Sequence, residues 1–170
     1  MSYPTKRLRR LRISEKMRDL VQETRLSPKD FICPVFVQED LKERVKVESM
    51  TEIERLPIED INDEVQTIID LGIPAIMLFG IPTQKDEAGT SAFEDNGIVQ
   101  RAISQIKEKF GDKIVIMADV CLCQFTSTGH CGIISGDKID NDISLETLAK
   151  IAVSLAKSGV DTVSPSAMMD

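Results

Sequence analysis

The chain has 170 residues, 42% of them apolar and 29% charged, with a net charge of -7. That length suits one soluble globular unit, and no apolar run approaches the roughly 18–20 residues of a membrane span. Met1 to Arg12 lacks the apolar core of a secretory signal, so a cytoplasmic location is the default expectation. Lys6, Arg7, Arg9, Arg10 and Arg12 form a basic cluster in an otherwise acidic chain. A broad nucleic-acid surface is therefore not expected, and the cluster reads as a solvated arm or one that packs on an acidic neighbouring subunit.

In chain order, Phe31 to Val37 is a short apolar run and predicts a first strand. Residues 38–57 are polar and read as a long irregular loop. Ile58 to Leu71 carries Ile61, Val65, Ile68 and Ile69 at helical spacing, with Gly72 as a stop. Ala75 to Phe79 predicts the second strand, and 80–95 a second long loop. A helix follows from Ile98 to Lys109, with Val99, Ala102, Ile103 and Ile106 on one face. Lys113 to Ala118 predicts the third strand and 119–142 the third long loop. The last helix spans Ser144 to Lys157, with Leu145, Leu148, Ile151, Ala152 and Leu155 inward and Gly159 as its cap. Val160 to Ser164 predicts the fourth strand.

Apolar strands that alternate with helices imply a parallel α/β sheet covered by helices. The long loops all follow strands, while the returns from helix to strand are short. That asymmetry belongs to the TIM (β/α)8 barrel, whose active sites lie at the C-terminal ends of the strands. A doubly wound sheet is the other fold considered, but no G-x-G-x-x-G follows any strand. Such barrels need about 250 residues, so the expectation is about the first four βα units. Residues 1–30 form an N-terminal arm, and 31–170 the first half of a barrel. The first and fourth strands would then have open edges.

The chemistry concentrates at Asp119-Val-Cys-Leu-Cys123 and Gly129-His-Cys-Gly132. Three thiols, Cys121, Cys123 and Cys131, lie within eleven residues. In a reducing compartment a disulfide framework is not expected. Three protein ligands with a fourth position open is the catalytic zinc arrangement, whereas structural zinc sites are closed by four. The other reading is three small buried thiols. Gly129 and Gly132 would let the backbone turn Cys131 back toward the other two. His130, the single histidine, sits too close to Cys131 to share its ion with good geometry. It reads as a group behind the ligands, a substrate-facing acid–base or a structural hydrogen-bonding side chain. Asp119 could orient a substrate amine or transfer a proton, or simply form a turn. Ser164 and Ser166 occupy the equivalent rim after the fourth strand. Cys33, before Pro34, reads as core.

These residues bring a family into view. The chain resembles the porphobilinogen synthase family, also called delta-aminolevulinic acid dehydratase. The likeness runs from Arg7-Leu-Arg-Arg-Leu-Arg12 through Pro34-Val-Phe-Val37, Leu78-Phe-Gly-Ile-Pro82 and Lys85-Asp-Glu-Ala-Gly89. It is strongest in the cysteine loop, with Thr126-Ser127 inside it, and continues through Asn141-Asp142 to Ser164-Pro-Ser-Ala-Met-Met-Asp170. The resemblance implies a TIM barrel with an N-terminal arm that wraps a neighbouring subunit, usually in an octamer. It implies condensation of two 5-aminolevulinate molecules to porphobilinogen, on the way to haem and other tetrapyrroles. Cys121, Cys123 and Cys131 match its zinc ligands; Asp119 and Ser166 match substrate-contacting positions; His130 matches the histidine beside the third cysteine. An allosteric magnesium is a further possible cofactor in the family.

The family's two Schiff-base lysines lie on later strands, and no lysine here matches either motif. Lys107, Lys109, Lys150 and Lys157 fall on predicted helices and read as solvated. Gln124, Phe125 and Thr128 depart from the residues most common in the family. The chain alone is expected to be inactive. The alternative is a non-catalytic zinc-binding or assembly module derived from the enzyme, with no nucleic-acid or membrane partner under either reading.

Overall fold

A computed structural model of the chain describes residues 9–169. Lys6 and Arg7 of the basic cluster, and Asp170, lie outside the described residues. The elements run α1 (Glu15–Val21), β1 (Ile32–Gln38), β2 (Val45–Lys46), β3 (Glu54–Leu56), α2 (Ile61–Asp70) and β4 (Ala75–Ile81), then α3 (Ile98–Phe110), β5 (Val115–Val120), β6 (Ile134–Ser135), β7 (Lys138–Ile139), α4 (Asn141–Lys157) and β8 (Thr162–Pro165).

Four long strands make a parallel sheet in the order β1-β4-β5-β8, the arrangement expected of the first four barrel units. Ile32 pairs with Ala75 and Gln38 with Ile81; Leu78 pairs with Ala118; Asp119 pairs with Ser164. The side chains alternate. Val35, Val37, Ile76, Leu78, Ile116, Ala118 and Val120 are buried in the core. The opposite parity, including Phe36, Met77, Phe79, Met117 and Asp119, is only partly covered. Phe36 and Phe79 stack across β1 and β4 with ring centroids 4.9 Å apart. The buried parity packs with the apolar stripes of the helices: Ile61, Val65 and Ile68 of α2, and Val99, Ala102, Ile103 and Ile106 of α3. Burying an aliphatic side chain of this size contributes about 1.5–3 kcal/mol.

Four expectations need correction. The segment 38–57 is not all loop: β2 and β3 pair antiparallel, and β3 adds parallel to β1 at Phe36–Val37. The C-terminal part of the β1 edge is therefore covered; β8 remains the edge on the other side. The third strand starts later than predicted, because a 3-10 turn takes Gly111–Lys113. That shift places Asp119 and Val120 inside β5. The last helix starts earlier, at Asn141, because the Asp140 carboxylate caps it by accepting from the Ile143 N–H at 3.0 Å. Finally, Leu145 faces out, and Ser144, Thr147 and Ser154 face in. The inward serines and threonine satisfy buried backbone and side-chain groups that a leucine could not.

The segment from Arg9 to Asp30 holds one short α-helix, capped by Ser14, and two 3-10 turns, and buries none of its residues. Leu11, Ile13, Leu20 and Leu26 are each more than half exposed.

Candidate metal centre

The centre begins at the C-terminal end of β5, where a parallel barrel strand delivers functional groups to the rim. The chain leaves the sheet at Cys121 and makes one tight turn, with the Phe125 and Thr126 N–H groups both donating to the Leu122 carbonyl at 2.9 Å. Leu122 and Phe125 are buried in the core and hold that turn down. Thr126, also buried, donates its hydroxyl to the His130 carbonyl at 3.0 Å. From the neighbouring loop, the Asp86 carbonyl accepts from the Ser127 N–H at 2.8 Å. The loop after β4 thus braces the loop after β5.

Gly129 has φ +72°, the left-handed conformation that glycine adopts without strain. Gly132 is constrained by close packing instead. A Cβ there would stand 2.6 Å from Ile139 Cγ2, 2.7 Å from Met169 Cε and 2.8 Å from Ser144 Oγ. Beyond it, the Ile133 N–H donates to Ser144 Oγ at 2.8 Å and the Asp140 N–H donates to the Ile133 carbonyl at 2.8 Å. The β6–β7 hairpin leaves and returns through these anchors.

The result brings Cys121, Cys123 and Cys131 together, with their sulfurs all within 4.8 Å of one another and those of Cys121 and Cys123 3.4 Å apart. Cys121 is buried, Cys123 half-buried and Cys131 exposed. Burial, followed by hydrogen bonding to Cys121 and the proximity of the other sulfurs, pushes the Cys123 thiol up to about 12. Cys131 is raised first by hydrogen bonding to Cys121, then by burial and by charge repulsion that includes Asp119. Cys123 and Cys131, packed this way, resist ionisation. A soft divalent ion removes that conflict, because thiolate sulfur is its preferred donor. The donor set therefore fits zinc, with three sulfurs converging and no fourth protein ligand among the described residues.

Asp119 and Ser166 also come together: Ser166 Oγ donates to Asp119 Oδ1 at 2.6 Å. Gln124 Nε2 donates to the other oxygen, Oδ2, at 3.2 Å. Ser164 is the register partner of Asp119. His130 is not part of the sulfur cluster; it is exposed, and its N–H meets Thr128 Oγ1 at 3.4 Å. Cys33 lies half-buried on β1, with its thiol raised by burial and then by the Glu64 charge.

Of the four helix lysines, Lys107 differs from expectation. It is mostly buried and bonds Asp161 at 2.7 Å, and Asp161 also accepts from the Ile116 N–H at 2.8 Å. Burial raises the Asp161 carboxyl, but the Ile116 N–H and the Lys107 ammonium outweigh it and hold it below its ordinary value. Asp86 and Thr126, which the sequence shows only as members of family-like motifs, and Ser144, which carries no sequence signal of its own, support the site. Gln124 is visible in the sequence only as a departure from the family's usual residue.

Comparisons with known proteins give the family. The family model for delta-aminolevulinic acid dehydratase matches residues 5–170. The delta-aminolevulinic acid dehydratase of Bacillus subtilis is 49% identical over the whole chain, which covers 52% of that relative, and that of Methanothermus sociabilis is 46% identical with the same coverage. A crystal structure of the enzyme from Toxoplasma gondii, in complex with the reaction product porphobilinogen, superposes with a TM-score of 0.90 at 38% identity. It is matched over 97% of this chain and 47% of its own. The chain spans about half the length of the relatives it matches, and its fold is the corresponding part of their barrel. By this match, the chain belongs to the delta-aminolevulinic acid dehydratase family.

Proposed function

We propose that the chain supplies the metal-binding side of a porphobilinogen synthase active site, for the condensation of two 5-aminolevulinate molecules in tetrapyrrole and haem biosynthesis. One observation carries the reading: three convergent thiols stand at a barrel-strand rim beside a hydrogen-bonded Asp119–Ser166 pair. Zinc held by Cys121, Cys123 and Cys131 would supply Lewis acidity at its open position, suited to polarising a substrate carbonyl. Asp119, with Ser166 fixing one of its oxygens, offers a carboxylate to a substrate amine and a site for its proton. His130, exposed beside Cys131, faces the solvent from which substrate arrives.

The reaction also needs amine catalysis, since a lysine Schiff base activates a ketone for condensation. No lysine of this chain matches the family's Schiff-base positions, so the activity belongs to a protein that carries both parts of the barrel. The 170-residue chain alone is therefore inactive. Pyrrole formation from 5-aminolevulinate by the purified chain would contradict this.

The partner reading rests on the N-terminal segment. Leu11, Ile13, Leu20 and Leu26 are each more than half exposed among the described residues, which suits an arm that packs on another subunit, as in the family's octamer. No helix among the described residues is long and apolar enough to cross a membrane. A cytoplasmic location accords with the free thiols. The possible allosteric magnesium has no assigned residues here.

A further inference from the structure

A carboxylate, Asp119, lies near the end of β5, two residues before the first zinc-type ligand. Zinc also accepts carboxylate oxygen, and a fourth protein ligand would close the site into a structural one. Yet the sulfurs gather without any carboxylate oxygen among them. Both oxygens of Asp119 are already engaged, Oδ1 by the Ser166 hydroxyl at 2.6 Å and Oδ2 by the Gln124 amide at 3.2 Å. The donors come from different directions. Gln124 belongs to the tight turn between the cysteines, and Ser166 follows the neighbouring strand β8.

We propose that Gln124 and Ser166 are positioning residues that clamp the Asp119 carboxylate off the metal, and so keep the fourth coordination position open for an exchangeable ligand. The inference deepens the metal reading above and rests on it. A neutral amide suits position 124, because it can donate to a carboxylate without adding negative charge beside three thiolates. Removing both donors leaves a half-buried carboxylate in need of a partner, and the metal is the strongest one nearby.

The test uses the 170-residue chain loaded with Co2+, whose visible spectrum reports ligand number where zinc is silent. In the wild type, added thiocyanate should shift the Co2+ spectrum by occupying the open position. In the Gln124→Leu/Ser166→Ala double variant, the thiocyanate shift should vanish and Co2+ should bind about tenfold or more tightly, a ligand-gain effect of the kind expected for an added donor. Adding Asp119→Asn to that variant should restore both wild-type properties. An unchanged thiocyanate response in the double variant would overturn the clamp while leaving the three-thiol site standing. Asp119→Asn introduced into the wild type supplies an independent check, since a spectral change there would mean that Asp119 already ligates. Failure of the wild type to bind Co2+ through its thiols would remove the metal reading itself, and the clamp with it.

Discussion

Two loops at the same rim of the sheet, after β1 and after β5, both contain a short antiparallel pair, yet they are held by different physics. Beyond the pairing of β3 with β1, the loop after β1 is held by charge. Arg44 reaches Glu64 at 2.7 Å, Asp60 at 2.9 Å and Glu54 at 3.8 Å, with all these side chains about a third exposed. The loop after β5 is fixed by buried neutral groups: Leu122 and Phe125 in the core, the Thr126 hydroxyl, and Ser144 beneath Ile133. Solvent-screened ion pairs tolerate movement, whereas close packing and buried hydrogen bonds do not. Only the second kind of scaffold fixes three sulfurs within 4.8 Å.

The largest effect expected from breaking this contrast is on metal affinity. Because Cys123 and Cys131 are both raised, metal must displace their protons, and acid favours the protonated, non-binding form. Apparent zinc affinity should therefore fall steeply as pH drops, by up to about a thousandfold per unit if three protons are released. Competition titration with a chelator across neutral pH measures the slope, and a flat profile would oppose three-thiol binding. Next comes Gly132→Ala, which drives a Cβ into Ile139, Met169 and Ser144. It should cost about 1–3 kcal/mol of stability and weaken metal binding as well, read from denaturant unfolding with and without zinc. Ser144→Ala leaves the Ile133 N–H without its partner, a loss of about 1–3 kcal/mol. It should leave ion pairing untouched, so the loss should not vary with salt. Arg44→Ala should be the mildest, at about 1 kcal/mol or less. Its loss should shrink in high salt and leave zinc affinity unchanged; a drop in zinc affinity would show that the two loops are not independent.

The same contrast explains what the sequence could reveal. The stripes of α2 and α3 and the four main strands were legible because burial imposes a period on apolar residues, and each of Val65, Ile103 and Ile106 falls where the period puts it. The convergence of the three thiols was legible from their close spacing and from Gly129 and Gly132, which let the chain turn Cys131 back toward the other two. β3 was not, because a strand three residues long, Glu54–Leu56, is too short to show alternation and exists only through its pairing with β1. Leu145 was misplaced because hydrophobicity outweighs Ser144 in any pattern, although the loop needs the hydroxyl of Ser144 inside. Asp119 and Ser166 were singled out separately, but their 2.6 Å contact depends on the β5–β8 register, which no local pattern encodes.

X-ray absorption at the zinc edge of the purified, zinc-loaded chain tests the central claim most directly. The account predicts one zinc per chain with three sulfur neighbours at about 2.3 Å and one lighter neighbour, with loss of the sulfur shell in Cys121→Ala. A shell of oxygen and nitrogen alone, or an unchanged sulfur shell in that variant, would contradict it.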